Sequence, residues 1–560
     1  MLIVSLGFLA CIILKDPLCI FCFSFCFLLY LNERFHSKRI LIVFMTLSLF
    51  SIVLVKPCKE AEKGIYTISE IKQSYYVAKN QRTRVLVQSD LDLNFKDQIQ
   101  VDSLEPIHTD DNFTLFSFTK YNASKNVFYK TKSIRILKKS TSLKSKLYTY
   151  ISSQKNSKVL LSLYYGIHED TIDEIYTMLG YGYISAYFIV FNLLKRKYED
   201  KKIRISLLIL SILFGSFFVF TLSLTRFILY QISYLFFKSK SDQIGFTILC
   251  FSILYPTQVL SISFVLPILL QLVSYFCTEH KWIVQKMVLI SVLFIYFKKV
   301  DIVSFLLFNL LRKLYGCVFL LGMFIPDFVT LKIPSIKIHY APQFVFIFIF
   351  IVVYIQCLKH FKWKYMILFL IPFLEVFCNP FFQVYTLNIG QGDCSVIVEP
   401  FYKSVVMIDC GQSLYRDNVE RIIFPFLENK NIHTIDTLIL THDDFDHSGG
   451  YDRLKDMVKI KQVIKDSKDK VNVEYPFYLL LQERMAKDEN DSSIISYFTY
   501  DHLNYLFMGD ASKEIEKQLM DTYDLKADVI KIGHHGSNTS SDAAFLDSLD
   551  CKIALISAGY

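Results

Sequence analysis

Six consecutive residues, His442-Asp443-Asp444-Phe445-Asp446-His447, carry two imidazoles and three carboxylates. Both groups suit Zn²⁺ or Mn²⁺. Ligands this closely spaced reach two adjacent ions, the arrangement that phosphodiester hydrolysis often uses. The spacing H-x-D-x-D-H sets the segment apart from a solvated acidic loop. Other ligand-type residues recur in Ile408-Asp409-Cys410-Gly411, Phe507-Met508-Gly509-Asp510 and Ile532-Gly533-His534-His535-Gly536-Ser537.

Such side chains need a rigid support that leaves them open to substrate. The apolar runs Thr437 to Leu440, Leu503 to Met508 and Val529 to Ile532 supply it, each ending just before a candidate ligand. This series of strand-then-ligand units resembles the metallo-β-lactamase fold, an αβ/βα sandwich with metals at its strand ends, over roughly residues 381–560. Leu387-Asn388-Ile389-Gly390-Gln391-Gly392-Asp393-Cys394, Asn490-Asp491-Ser492-Ser493 and the His-His-Gly-Ser segment narrow the match. Together they resemble the C-terminal domain of the ComEC-type competence channels, bacterial DNA-internalisation proteins.

That resemblance implies two divalent metal ions, Mn or Zn. Their ligands would be His442, Asp444, Asp446 and His447, with Asp510 bridging and His534 completing the set. His535 would be the alternative to His534 or a proton donor, which makes His535 and Asp446 the catalytic candidates. Asp409 and Asp393 would orient ligands from behind. The broader superfamily has a further His before the bridging Asp. Here only His502 lies between residues 448 and 509, beside an expected hairpin turn. Family members continue past a strand like Ile556 to Tyr560, so the domain is read as truncated or the sequence as a fragment.

The remainder of the chain has to deliver substrate. Of its 560 residues 53% are hydrophobic, too many for an ordinary soluble protein. Long apolar runs include Ile205 to Leu224, Val259 to Cys277, Phe344 to Leu358 and Met366 to Val376. At about 20 residues per span, about ten to twelve spanning or re-entrant segments are expected. The basic loop Arg34 to Arg39 is assigned to the cytoplasm, which places both soluble regions on the outer face. Most of the 13 cysteines lie in apolar runs and read as small hydrophobes, with Cys58 alone in the first soluble region.

Residues 58–157 read as about five short strands, including Arg84 to Val87 and Phe113 to Phe118, separated by turns such as Asp110-Asp111-Asn112. The corresponding family domain is OB-like, a fold that often binds single strands. Eleven Lys or Arg and no acid lie between Lys120 and Lys158. Lys138 and Lys139 are the candidates for phosphate contact. In the core, Met178 to Ala186 lacks the family's His. Arg226, Asn309 and Arg312, with Pro326 and Pro334, match its membrane region, and Arg226 is a candidate pore residue.

The expectation is a multidomain, polytopic α-helical membrane protein with an OB-like β-barrel insert and a C-terminal metallo-β-lactamase αβ/βα sandwich. Its domains are N-terminal membrane segments (1–57), an OB-like domain (58–157), a competence membrane-channel domain (158–380) and the metal domain (381–560). By resemblance it sits in the bacterial cytoplasmic membrane, among its lipids, and passes single-stranded DNA while cleaving the other strand. No P-loop is present, so energy must come from a partner, such as a cytoplasmic DNA motor, or from a gradient; the resemblance also implies a surface DNA receptor. The alternatives are a channel with an inactive metal domain and a membrane-anchored phosphodiesterase without transport.

Overall fold

Runs of β-branched residues alternate with apolar helical segments, and a computed structural model shows where each ends. It describes residues 1–14, 16–54, 61–81, 83–107, 117–167, 174–322, 336–340, 342, 344–374, 379–414, 417–483 and 488–558. Cys58, Asp110-Asp111-Asn112, the 113–116 part of an expected strand, Pro326, Pro334 and Gly559-Tyr560 lie outside the described residues. Contacts divide the chain into two compact units, the second centred on Met366–Tyr560.

In the first unit the insert forms a seven-stranded mixed sheet: β1 Gly64–Ile71, β2 Tyr76–Lys79, β3 Arg84–Val87, β4 Gln98–Val101, β5 Glu105–Pro106, β6 Val127–Thr131 and β7 Ile134–Lys138. Its order is β5-β6-β3-β2-β1-β4-β7. An antiparallel meander β1-β2-β3 is extended by a parallel β3–β6 pair. About five strands are expected from sequence. The additions are two-residue β5 and the strands β6 and β7, which pair with β3 and β4 rather than with each other and are hidden in the lysine-rich stretch. Phe118 opens the helix Phe118–Ser124 rather than closing a strand. The sheet's inward residues Tyr66, Ile68, Val85, Val87, Ile99 and Val101 pack with Tyr164, Tyr165, Leu224 and Ile228 of the helical core.

The apolar runs form short helices. Leu2–Leu14 has 13 residues, Pro17–Phe35 has 19, Asp200–Phe217 has 18 and Ile262–Phe276 has 15. Ile205 to Leu224, expected as one span, is broken. One helix stops at Phe217, and Thr221 caps the next by accepting a hydrogen bond from Leu224 N, the usual N-cap role of threonine. No helix among the described residues is long and apolar enough to cross a membrane. The outer faces remain apolar, with Phe21, Phe25, Ile209, Leu210, Leu213 and Phe217 exposed.

The second unit contains two five-stranded sheets. The first has β8 Gln383–Thr386, β9 Ser395–Val398, β10 Val405–Ile408, β11 Thr434–Ile439 and β12 Lys459–Ile464. The second has β13 Phe477–Leu480, β14 Ile495–Tyr500, β15 Leu503–Phe507, β16 Val529–Lys531 and β17 Ile553–Leu555. Each runs in order with two antiparallel pairings followed by two parallel ones.

Strand periodicity explains the layering. Ile397, Val406, Ile408 and Ile439 face Leu479, Phe498 and Phe507 in one core. Val396, Val398, Val405 and Met407 point the other way, onto Phe426, Leu427 and Leu454. The far face of the second sheet packs on Ile515, Leu519, Phe545 and Leu549. The result is the αβ/βα sandwich expected for this region.

Candidate metal centre

Corresponding strand ends in the two sheets carry the site. β10 runs into Asp409, β11 into the Thr441–His447 loop, β15 into Asp510 and β16 into His534-His535. Asp409 is 1% exposed and adopts φ +60°, a strained conformation of the kind found at functional sites. Its Oδ1 accepts from Thr441 N at 2.8 Å, and its Oδ2 accepts from Thr441 Oγ1 at 2.8 Å and faces His447 Nδ1 at 2.8 Å. One carboxylate thus fixes both the loop and a ring.

All three rings at the centre are held through Nδ1. His447 uses Asp409. His442 lies 3.1 Å from Thr441 Oγ1 and 3.2 Å from Ser493 Oγ. His535 lies 2.9 Å from the Ser557 carbonyl oxygen. Anchoring one ring nitrogen leaves the other for a metal. The three Nε2 atoms, with Asp510 Oδ1, are buried and find no aligned hydrogen bond among the described residues. His447 Nε2 is 3.1 Å from Asp510 Oδ1, and His535 Nε2 is 3.2 Å from Asp446 Oδ2 and 3.5 Å from Asp510 Oδ2. Buried ring nitrogens and carboxylate oxygens that converge without aligned hydrogen bonds offer the donor set of a cation site.

Ligand atoms gather within 4.8 Å in two such sets, His442-His447-Asp510 and Asp446-His447-His535. A third, Asp393-Asp409-His447, meets the same distance limit. There Lys531 Nζ already holds Asp393 Oδ2 at 2.8 Å, and a fixed cation beside the carboxylate disfavours a second.

The other sequence candidates are placed as follows. Asp444 is 46% exposed, with Oδ2 3.4 Å from His442 Nε2 at the open side. His534, expected to complete the ligand set, faces Thr539 Oγ1 at 2.8 Å through Nδ1 and joins none of the three sets. His535 instead belongs to one of those sets. His502 has φ +65° in the β14–β15 turn. Arg226, in the other unit, is buried and donates from Nε to the Ser263 carbonyl at 2.8 Å. Lys139 pairs with Asp97 at 3.5 Å and with the Asp92 carbonyl, whereas Lys138 ends β7 exposed. Lys531 and the support from Ser493 are absent from the sequence reading. A lysine in the otherwise apolar run Val529 to Ile532 is the signal for the first, because a buried charge demands a partner.

Charge follows this geometry. Burial opposes a cationic His447, but Asp409 and Asp510 on its two nitrogens outweigh burial and raise it to about 11. Burial likewise pushes Asp510 up, yet His447, His535 and His442 bring it down to about 2. The pair therefore stabilises the metal-free fold fully between about pH 4 and about pH 6.5. Its contribution is lost as pH rises through about 11 or falls through about 2. Loading the site with Mn²⁺ at pH 7 should expel the His447 proton. Calorimetry in buffers of different ionisation enthalpy should show about one proton or more released per chain. A buffer-independent heat would contradict it.

Residues 387–485 match the metallo-beta-lactamase superfamily. ComE operon protein 3 of Bacillus subtilis (strain 168) is 31% identical over 219 residues, covering 32% of this chain and 28% of that protein. Recombination protein 2 of Haemophilus influenzae is 27% identical over 208 residues, 34% of this chain and 26% of its own. Competence protein ComA of Neisseria gonorrhoeae is 28% identical over 153 residues, 25% and 22% respectively. The chain thus spans between about a fifth and a third of each relative's length.

Proposed function

We propose, from the premise that this chain belongs to the ComEC-type competence family, that it acts in bacterial DNA uptake and that its metal centre cleaves phosphodiester bonds. The observation that carries the reading is the convergence of three imidazole Nε2 atoms on Asp446 and Asp510 at the ends of two sheets. His442 and His447 would hold one divalent ion and His535 with Asp446 a second, with Asp510 shared. Such ions, Mn²⁺ or Zn²⁺, supply Lewis acidity and an ionised water as nucleophile.

The chain's own residues set the geometry. Asp409 keeps the His447 ring fixed and its Nε2 directed inward. Ser493 couples the two halves of the site, since its Oγ accepts from Asp510 N at 3.0 Å while touching His442 Nδ1. Lys531 offsets one buried carboxylate, Asp393. Asp444 and Asp446 stand at the solvent side, where a phosphodiester would enter.

The helical unit is read as the membrane-embedded path for a single strand. The apolar side chains on its outer surface, such as Phe21 at 69% and Phe25 at 57% exposure, support a lipid environment, since water disfavours large apolar patches. The sheet β1–β7 is read as the OB-like domain.

Two measurements test the proposal. Deleting the gene in a competent host should abolish transformation while DNA still adsorbs to the cell surface. The full-length protein should cut DNA with Mn²⁺ or Zn²⁺ and lose that activity in chelator. Normal transformation in the deletion strain sinks the uptake role, and a metal-loaded protein that leaves DNA intact sinks the nuclease role.

A further inference from the structure

A second polar cluster lies at one end of the sheet β1–β7, in the unit that does not hold the metal centre. Glu70 follows the bulge in β1. Three cations share its carboxylate. Arg84, the first residue of β3, donates to Oε1 through Nη2, while Lys125 Nζ and Lys72 Nζ lie 3.7 Å and 3.9 Å from Oε2. Arg84 also donates to the Lys125 carbonyl at 3.2 Å, and Lys125 to the Tyr121 hydroxyl at 2.6 Å. Arg84 Nε is buried without a hydrogen-bond partner among the described residues.

Among the described residues, three cations around one carboxylate leave two positive charges in excess. None of the four side chains is more than 28% exposed, so water screens that excess only in part. The strain shows in the charges themselves. Burial works against an ionised Glu70, but Lys125, Lys72 and Arg84 hold it at about 2. Lys72 and Lys125 are pushed below the usual lysine value, first by burial. Nearby, Lys144 packs over the Phe95 ring at 4.5 Å, and burial with Lys96 and Lys79 lowers it to about 8.

A planar guanidinium with two ammonium groups around two oxygens is the donor set that recognises a phosphate. The aromatic rings of Tyr121 and Tyr75 stand beside it, Tyr75 edge-on to Phe118 at 5.6 Å, and bases of an unpaired strand stack on such rings. We infer that Arg84, Lys125 and Lys72 form a phosphodiester-binding site whose occupant in the resting protein is the chain's own Glu70, a stand-in that a DNA single strand displaces. The choice of DNA as the source of phosphate rests on the uptake reading; the anion site does not. The cluster also moves the strand contact away from Lys139, which is engaged with Asp97 and Asp92.

The test uses the full-length protein in detergent, held in EDTA so that no cleavage occurs, with a short fluorescent single-stranded oligonucleotide across a salt series. Glu70→Gln removes the competitor and should tighten binding on the order of tenfold with a steeper salt dependence. Lys125→Gln and Lys72→Gln should weaken it, each reducing the slope of log affinity on log salt by about 0.7. Unchanged or weaker binding by Glu70→Gln at an unchanged melting temperature overturns the inference. Should Glu70→Gln unfold, Lys72→Gln decides, because it removes the longest of the three contacts: parental affinity and slope in that variant overturn it. Substitutions that alter binding to phosphatidylglycerol vesicles but leave oligonucleotide binding untouched also overturn it. Cleavage by the metal centre is read separately, with metal present, so failure here is distinct from failure of the nuclease reading.

Discussion

Replacing His535 with alanine should eliminate metal-dependent DNA cleavage, by about a thousandfold or more, whereas replacing His534 should leave most of it. The two histidines are adjacent in sequence and differ entirely in placement. His535 is anchored by the Ser557 carbonyl and presents Nε2 to Asp446 and Asp510. His534 is engaged with Thr539, away from them. His442→Ala and Asp510→Asn should match His535→Ala, since each removes a converging ligand atom. His502→Ala, in the β14–β15 turn, should behave as the parent. The check is cleavage rate against Mn²⁺ concentration, paired with metal content per chain. An inactive His534→Ala beside an active His535→Ala would reverse the ligand assignment.

Gly411→Ala should destroy the centre without touching a ligand. An added Cβ would sit 1.9 Å from the Asp446 carbonyl oxygen and 2.6 Å from its carbon. These are backbone atoms with no rotamer to yield. The loop is pinned on both sides, because Gly411 N donates to the Asp393 carbonyl and Cys410 N to the His447 carbonyl. Overpacking of this kind costs roughly 3 kcal/mol or more, and any relaxation displaces Asp446. Thermal unfolding and metal binding should both fall sharply. Gly536→Ala is the control. Among the described residues its Cβ meets only Ile556 Cγ2 at 3.3 Å, at φ +76°, a loss of about 1 kcal/mol. Equal effects from the two substitutions would show that the approach at Gly411 carries no special weight.

The metal domain was legible because its chemistry is written at strand ends. Each apolar run stops at a candidate ligand, and period-two alternation within the runs gives the two faces of each sheet. The choice between His534 and His535 was not legible. Both adopt positive φ, +44° and +54°, so no periodicity says where either ring points. Lys531 was absorbed into an apolar run because its partner, Asp393, lies far away in sequence. Ile205 to Leu224 read as one span because hydropathy is blind to the Thr221 cap that divides it. Strands β6 and β7 were masked by Lys130, Arg135 and Lys138 within them. In the insert, charge counting picked Lys138 and Lys139, while the structure gathers Lys72, Arg84 and Lys125, residues from three separate segments that only the fold brings together.

Under the proposed function, the division of the candidate ligands between two sheets dictates when DNA cleavage can begin. His442, Asp446 and His447 extend from the first sheet, and Asp510 and His535 from the second. A ribosome releases these halves in sequence, so a nascent chain holds an incomplete set. The proposed hydrolytic competence would then behave as a logical conjunction, true only after the last parallel strands have docked. Any ion gripped from both sides favours the closed sandwich over the open one. Folding would thereby be the arming step of the proposed nuclease, and a chain that misassembles would hold no complete site.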